Sequence, residues 1–386
     1  CKMIAAILRA EGLKVVRNVA GANLRQGLAT TLLLAARGTR VPADIALLEV
    51  DEGAAPREIR DLSPRVVLVT NLFRDQLDRY GELAQTARKL ADALRAGLGP
   101  DATLVLNADD PLVAGLGEGT QAAVRTFGIR CPDRALDQAD HASDSDECEG
   151  CGAPLEYGAR YGSHIGLWMC PSCGRQRPTP DLEVTKARLE TDLTESVECR
   201  EGLAFRLRLP GLYNVANAAA AALVAEALGV RHESVTRGLE STGAAFGRLE
   251  TVAFEGGKTA LLMLVKNPAG LNEVIRLIIQ AGETRPAVLA LNDNTADGHD
   301  VSWIWDADLE GLAGRVAPVY ASGIRAYDMA LRLKYADLPV DSIRVIPDVR
   351  EAVEACLSEA PTEGQIYVLP TYTAMTELRQ RLVEEG

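Results

Sequence analysis

Four cysteines in two tight pairs are the first residues of this sequence whose types and spacing could do chemistry. Cys148-x2-Cys151 is followed by 18 residues and then by Cys170-x2-Cys173, the spacing at which two turns each aim two thiolates at one tetrahedral ion. Gly152 and Gly174 stand directly after the pairs and supply the backbone freedom such turns need. The pattern predicts one structural zinc ion. A redox reading of the pairs lacks the βαβ surroundings of thioredoxin-like motifs. Four cysteines also leave no open position for catalysis, so the expected task of the metal is to fold a small insert.

Carboxylates form the second group. Glu49, Asp51 and Glu52 follow the apolar run ending at Leu48, at the carboxyl end of an expected strand, where ligands of open α/β sheets sit. Clustered acids there suit Mg²⁺, a hard, oxygen-seeking ion; the alternative is a solvated turn. The next apolar run ends in the polar stretch Thr70 to Glu82, and two adjacent strand ends of this kind would outline a site. A third stretch, Asn292 to Asp306, holds four carboxylates, two asparagines and two tryptophans directly after the apolar run Ala287–Leu291. Loops of that composition seldom exist for packing alone, although Trp303 and Trp305 at alternate positions also fit a half-buried strand face.

These groups need a frame to hold them. Apolar β-rich runs at Asp44–Val50, Arg65–Thr70 and Thr103–Asn107 alternate with helical patterns such as Glu82–Leu98, which predicts a mainly parallel sheet with crossover helices. The pattern breaks from about Cys131 to Pro180, resumes through an Ala-rich helix from about Asn214 to Leu228, and breaks again at Gly243–Gly247. Strands at Thr259–Val265, Ala287–Leu291, Pro318–Ser322 and Gln365–Leu369 then alternate with helices near Asn272, Arg325, Val349 and Met375, which predicts a second doubly wound α/β domain. The expected division is 1–246 with the four-cysteine insert at about 146–180, followed by 247–386.

Composition narrows the function. With 386 residues the chain is longer than one core usually supports. No stretch of 18 apolar residues or signal-peptide pattern is visible, and a cytoplasmic protein is expected. A net charge of −13, from 54 acidic and 41 basic side chains, is the wrong sign for a nucleic-acid partner. Cys1, Cys131, Cys199 and Cys356 are scattered, unlike a secreted disulfide framework.

Taken together, Glu49-Val50-Asp51-Glu52, Asn71 to Asp78, Leu106 to Asp110, Leu209-Pro210-Gly211-Leu212-Tyr213-Asn214 and Gly247-Arg248-Leu249-Glu250 resemble the Mur ligase superfamily in order and spacing. The four-cysteine insert, Lys266 to Gly270 and Asn292 to Asp306 resemble its MurT-type branch, the ligase subunits of lipid II isoglutaminyl synthases. The resemblance covers nearly the whole chain. It implies an α/β fold with a Mur-ligase-like central ATPase domain, an inserted four-cysteine zinc ribbon and a Rossmann-like C-terminal α/β domain. Carried over by position, Glu49 is the Mg²⁺-binding Glu, Asn214 the adenine-contacting Asn and Arg248 a nucleotide-contacting Arg. From the residues alone, Asn214 could equally cap the following helix, and Arg248 could make an interdomain salt bridge. Gln76 stands where amino-acid-adding Mur ligases commonly place a His near the metal, as it does in MurT-type chains. Lys266 opens a motif where the superfamily keeps substrate- or nucleotide-facing residues.

The resemblance further implies that Asp300 completes a triad with a Cys and a His of a separate, GatD-like glutaminase, forming a heterodimer. The implied reaction uses ATP and Mg²⁺ to phosphorylate the α-carboxylate of D-glutamate in the lipid II stem peptide, after which ammonia attacks the acyl phosphate to leave D-isoglutamine. It allows a peripheral position at the inner membrane face. The superfamily's Gly-rich phosphate loop is not among these residues; Lys2–Ala10 fits the helix that follows it, and the loop is expected upstream of Cys1. No nucleophile–His pairing is evident among His141, His164, His232 and His299. An amino-acid-adding Mur ligase or a folylpolyglutamate-synthase-like enzyme is the first alternative, opposed by Gln76, the insert and the Asp300 loop. A non-catalytic zinc-ribbon scaffold is the second, opposed by Glu49, Asn214 and Arg248.

Overall fold

The structure is a computed structural model that describes residues 1–18, 21–73, 83–136, 146–190, 192, 194–243, 248–362 and 364–384, with the backbone alone at 248, 255 and 381–384. Its residues fall into two compact units, one ending at Gly243 and the other comprising 248–384.

In the first unit the chain runs through α1 (Lys2–Ala10), β1 (Val15–Arg17), α2 (Arg25–Ala35), β2 (Ile45–Leu47), α3 (Ala55–Leu62), β3 (Val66–Val69), α4 (Leu83–Gly97), β4 (Thr103–Asn107), α5 (Pro111–Ala114) and β5 (Ala123–Ile129). The hairpin β6 (Glu156–Gly162) and β7 (Ile165–Met169) follows, then β8 (Leu182–Leu189), β9 (Glu195–Cys199), β10 (Ala204–Leu207), α6 (Leu212–Ala227) and α7 (His232–Glu240). One sheet has the order β10-β9-β8-β5-β4-β3, parallel from β3 to β8 and antiparallel from β8 to β10. Its middle is dry: Leu104, Val105 and Leu106 of β4 are fully buried, as strands covered on both faces must be.

The Ala-rich α6 explains how that cover fits. Ala218 to Ala225 are buried around its whole circumference, as befits a helix enclosed on all sides, and small side chains let it approach α1, β4, β5 and β8 closely. Where α1 meets α7, a side chain on Gly238 would stand 2.4 Å from the Ile7 backbone, so only glycine permits that crossing.

One sequence expectation changes here. β1 and β2 form a separate parallel pair, and β2 does not hydrogen-bond to β3. The strand ends at Glu49 and Asn71 are therefore not neighbours in one ladder. Ile45, Leu47, Val66 and Leu68 nevertheless pack against the same hydrophobic core, so shared burial, not backbone pairing, relates the two.

The second unit comprises β11 (Arg248–Ala253), β12 (Thr259–Met263), α8 (Pro268–Ala281), β13 (Arg285–Ala290), β14 (Val316–Ser322), α9 (Ala326–Tyr335), β15 (Ile343–Val345), α10 (Val349–Glu359), β16 (Gln365–Pro370) and α11 (Tyr372–Glu384). Its sheet order is β11-β12-β16-β13-β14-β15, with β11 antiparallel and the rest parallel. Alternation along the strands feeds two cores: Leu261 and Met263 join α8 and α9 on one face, and Ala260 and Leu262 join α10 and α11 on the other. This is the doubly wound arrangement expected. Trp303 and Trp305 do not form a strand face. Ser302–Trp305 is a 3₁₀ turn in which Ile304 is buried and Trp305 stays exposed, because Asp300 Oδ1 accepts the Ser302 N–H at 2.8 Å and starts a turn there.

Candidate functional site

The four cysteines converge. Thiolates at tetrahedral corners about 2.3 Å from a zinc ion lie about 3.8 Å apart. The Sγ atoms of Cys148 and Cys173 are 3.6 Å apart, those of Cys151 and Cys170 are 3.5 Å apart, and all four lie within 4.8 Å of one another. The two turns are built alike. Cys148 accepts the Gly152 N–H at 2.7 Å and Cys170 accepts the Gly174 N–H at 3.0 Å through their carbonyls, with both glycines at positive φ, which closes each turn as the spacing predicted. The Cys173 backbone N–H, foremost, holds the Cys170 thiol down at about 6. Cys173, despite the Arg175 backbone N–H, is pushed up to about 12 by hydrogen bonding with Cys148 and Cys170. Thiols this close cannot all ionise without a cation between them. The cluster could hold a metal ion, and an all-thiolate, closed set suits Zn²⁺.

The ribbon is seated on the Asn107–Asp110 motif. Trp168 donates its indole N–H to the Ala108 carbonyl at 3.0 Å, and Gly166 donates its backbone N–H to the Asp109 carbonyl at 2.9 Å. Arg177, where the chain leaves the ribbon, bonds Asp109 Oδ1 at 2.6 Å and Glu183 Oε1 at 2.9 Å, with all three side chains at most 5% exposed. Arg130 and Arg200 also pair with Glu183. Burial pushes the Asp109 carboxyl up to about 6 even against Arg177, so desolvation exceeds the attraction there. Asp110 caps α5 by accepting from Leu112 and Val113, and its other oxygen accepts the Leu72 N–H at 2.9 Å. Asn107 Nδ2 donates to Asn71 Oδ1 at 2.7 Å, joining the ends of β4 and β3.

Glu49 is exposed, just beyond β2. Its position is set by Asn18, which sequence reasoning missed: the Asn18 amide accepts the Glu49 N–H at 2.9 Å and donates to the Glu49 carbonyl at 2.8 Å. A buried Asn after a strand gave no periodic signal. Among the described residues the four cysteines are the one group of three or more donors close enough to share an ion, so Glu49, Asp51 and Glu52 do not form a ready-made cage. Mg²⁺ keeps waters and is usually completed by phosphate oxygens, so one or two protein carboxylates suffice.

Asn214 is buried in the first turn of α6 and donates its amide N–H to the Pro210 carbonyl at 2.8 Å. It is not the cap, a position held by Gly211. The Gly211 N–H is accepted by fully buried Glu195 at 3.1 Å, and Arg134 in turn pairs with Glu195 at 3.0 Å. The side chain of Arg248, Gln76 and His141 lie outside the described residues.

In the second unit, Asn292 and Asn294 each bond the Thr373 hydroxyl, Asp297 accepts the Thr373 N–H at 2.8 Å, and Asp293 pairs with Arg325 at 2.7 Å. These contacts anchor the loop after β13 to the starts of α11 and α9 and leave Asp300 and His299 on the surface. Lys266 is exposed before α8, which Asn267 caps by accepting the Gly270 N–H at 2.8 Å.

Residues 1–159 match the Mur ligase middle domain and residues 264–375 the MurT ligase C-terminal domain. Subunit MurT of the lipid II isoglutaminyl synthase (glutamine-hydrolyzing) of Streptococcus pneumoniae is 33% identical over 370 residues, covering 96% of this chain and 81% of its own length. The chain belongs to the MurT family of Mur ligases. The Staphylococcus aureus (strain COL) MurT subunit is 30% identical over 382 residues, 98% of this chain and 83% of that one. A pseudomurein peptide ligase type C from Methanothermus fervidus shares the fold, with a TM-score of 0.73 at 20% identity over 100% of this chain and 76% of that one. MurT membership makes the chain part of an ATP-dependent ligase, and the Mur ligase fold implies use of ATP and Mg²⁺.

Proposed function

We propose that this chain is the ligase subunit that amidates the α-carboxylate of D-glutamate in the lipid II stem peptide. The γ-phosphoryl of ATP moves to a carboxylate oxygen, giving an acyl phosphate and ADP. Ammonia then attacks the acyl carbon, the C–O bond to phosphate breaks, and phosphate leaves as the nitrogen sheds a proton. The ammonia comes from glutamine hydrolysed on a separate glutaminase subunit. The single observation that carries this reading is the 33% identity to a MurT subunit along 96% of the chain, across both units.

Glu49, held by Asn18, would supply a carboxylate to Mg²⁺, which stabilises charge on the transferred phosphoryl when bound. Asn214, at the start of α6, would contact adenine, and Arg248 the nucleotide. Cys148, Cys151, Cys170 and Cys173 would hold Zn²⁺ for folding. Asp300 would orient a His of the partner that activates its thiol nucleophile; its exposure on a loop tied down by Thr373 suits contact with another chain. No helix among the described residues is long and apolar enough to cross a membrane, and none of the eight cysteines is joined in a disulfide, which fits a reducing cytoplasm.

The test combines the full-length chain with its glutaminase, ATP, Mg²⁺ and lipid II, and follows the stem peptide by mass spectrometry. Conversion of the acid to the amide with either glutamine or ammonium supports the reading. A complex that amidates with neither sinks it.

A further inference from the structure

The tip of the ribbon hairpin carries a buried group that the proposed chemistry does not use. Ser163 and His164 connect β6 to β7, and both are essentially inaccessible to solvent. The tip backbone is held by the Tyr157 hydroxyl, which donates to the His164 carbonyl at 3.0 Å, and by Arg160, which donates to the Ser163 carbonyl at 3.1 Å. The imidazole Nδ1 lies 3.3 Å from the Ser163 hydroxyl. Its Nε2 has no hydrogen-bond partner and faces Asp110 Oδ2 at 3.5 Å. The ring also meets Phe73, centroid to centroid at 5.1 Å.

A buried nitrogen without a hydrogen bond is costly and needs a reason. Asp110 Oδ2, which it faces, is the atom that accepts the Leu72 N–H. His164 thus lies against both the carboxylate that holds the Leu72 N–H and the ring of Phe73, on the segment Asn71–Phe73 at the carboxyl ends of β3 and β4, where ligands of such sheets bind. The other end of the hairpin is pinned by the cysteines. Trp168 packs with Cys148, Leu155 and Cys170 in a core of its own and reaches the Ala108 carbonyl.

We propose that His164 is a positioning residue for the segment Asn71–Phe73, and that the four-cysteine centre acts on the ligase site through it although no cysteine touches that site. A metal that fixes both turns fixes Trp168 and the hairpin, and the hairpin presses His164 onto Asp110. Without the metal the hairpin loosens, Asp110 loses its backing, and the Leu72 N–H is freed. The activity part of this inference rests on the ligase reading; the structural part does not.

The experiment uses the full-length chain with its partner and reads two quantities, hydrogen exchange at the Leu72 amide and kcat for ammonium-dependent amidation. His164→Ala should speed exchange and lower kcat, each on the order of tenfold, the size of losing the bond from the Leu72 N–H to the Asp110 carboxylate. KM for ATP and zinc content should change little. His164→Gln, whose amide nitrogen can occupy the place of Nε2, should restore both, and removing zinc with a chelator should give the wild type the fast exchange of the alanine variant. Unchanged Leu72 exchange in His164→Ala overturns the proposal whatever the activity, as does equal loss in both variants that tracks only Tm. A wild-type complex that cannot amidate sinks the ligase reading and leaves the exchange result to decide this one.

Discussion

Two strand-end runs in this molecule look alike and behave differently. Asn107–Asp110 starts at the last residue of β4, and Asn292–Asp300 follows β13; both mix asparagine and aspartate at the end of an apolar strand. In the first, Asp109 and Asp110 are at most 1% exposed, and their four carboxylate oxygens accept from Arg177, Ile129, Leu112, Val113 and Leu72. In the second, Asp293 and Asp297 are tied to Arg325 and Thr373 while Asp300 remains on the surface. An aspartate whose oxygens are all occupied in the interior organises backbone; one held out on an anchored loop can meet another chain.

The sharpest break of that comparison is Asp300→Asn. Glutamine-dependent amidation should fall on the order of 10⁴-fold, the drop seen when the Asp of a Ser-His-Asp triad becomes Asn, while ammonium-dependent amidation and complex formation survive. Equal loss with both nitrogen sources would move Asp300 into the ligase chemistry. Next in size, Glu49→Ala in the full-length ligase should cut ATP turnover roughly 10²–10³-fold through lost stabilisation of the transferred phosphoryl; unchanged turnover returns Glu49, Asp51 and Glu52 to a solvated turn.

Effects on stability come after these. The purified chain should carry about one zinc per molecule by elemental analysis, and Cys148→Ser should lose it and leave the ribbon open to protease; metal-free wild type would undo the assignment. Arg177→Ala strands Asp109 as a buried charge, while Glu183 keeps Arg130 and Arg200, at a cost of about 3–5 kcal/mol, and Tm should drop by roughly 10 °C. Burial raises the folded-state Asp109 carboxyl from 3.8 to about 6, so between those values the folded state binds more protons than the unfolded. Stability from this group therefore rises as pH falls through 6 toward 4 and is lost as pH rises through 6, and Asp109→Asn should remove that slope from denaturant midpoints. The smallest effect is a control: Asp348 caps α10 by accepting from Arg350 and Glu351, and Asp348→Ala should cost about 1 kcal/mol with amidation unchanged.

What could be read from the sequence alone was carried by neighbours along the chain. Cys-x2-Cys with a following glycine determines a turn within five residues, and the turns at Cys148 and Cys170 closed as that spacing requires. Alternation of apolar strands and helical periods determined the doubly wound second unit, because side-chain direction follows backbone period. Tertiary structure decided the partners of buried charge. Arg177 meets Asp109 across 68 residues, Arg134 meets Glu195 across 61, and Leu72 meets Asp110 across 38. Which residues meet over such distances depends on strand order and register, and the same ordering withdrew β2 from the ladder of β3. An isolated Asp, Arg or His in a sequence looks the same whether it will lie in water or face another charge in the interior. Only the packed sheet of the first unit, with the ribbon seated on it, made Asp109 and Asp110 structural, and only the folding of the second unit's own loop left Asp300 exposed.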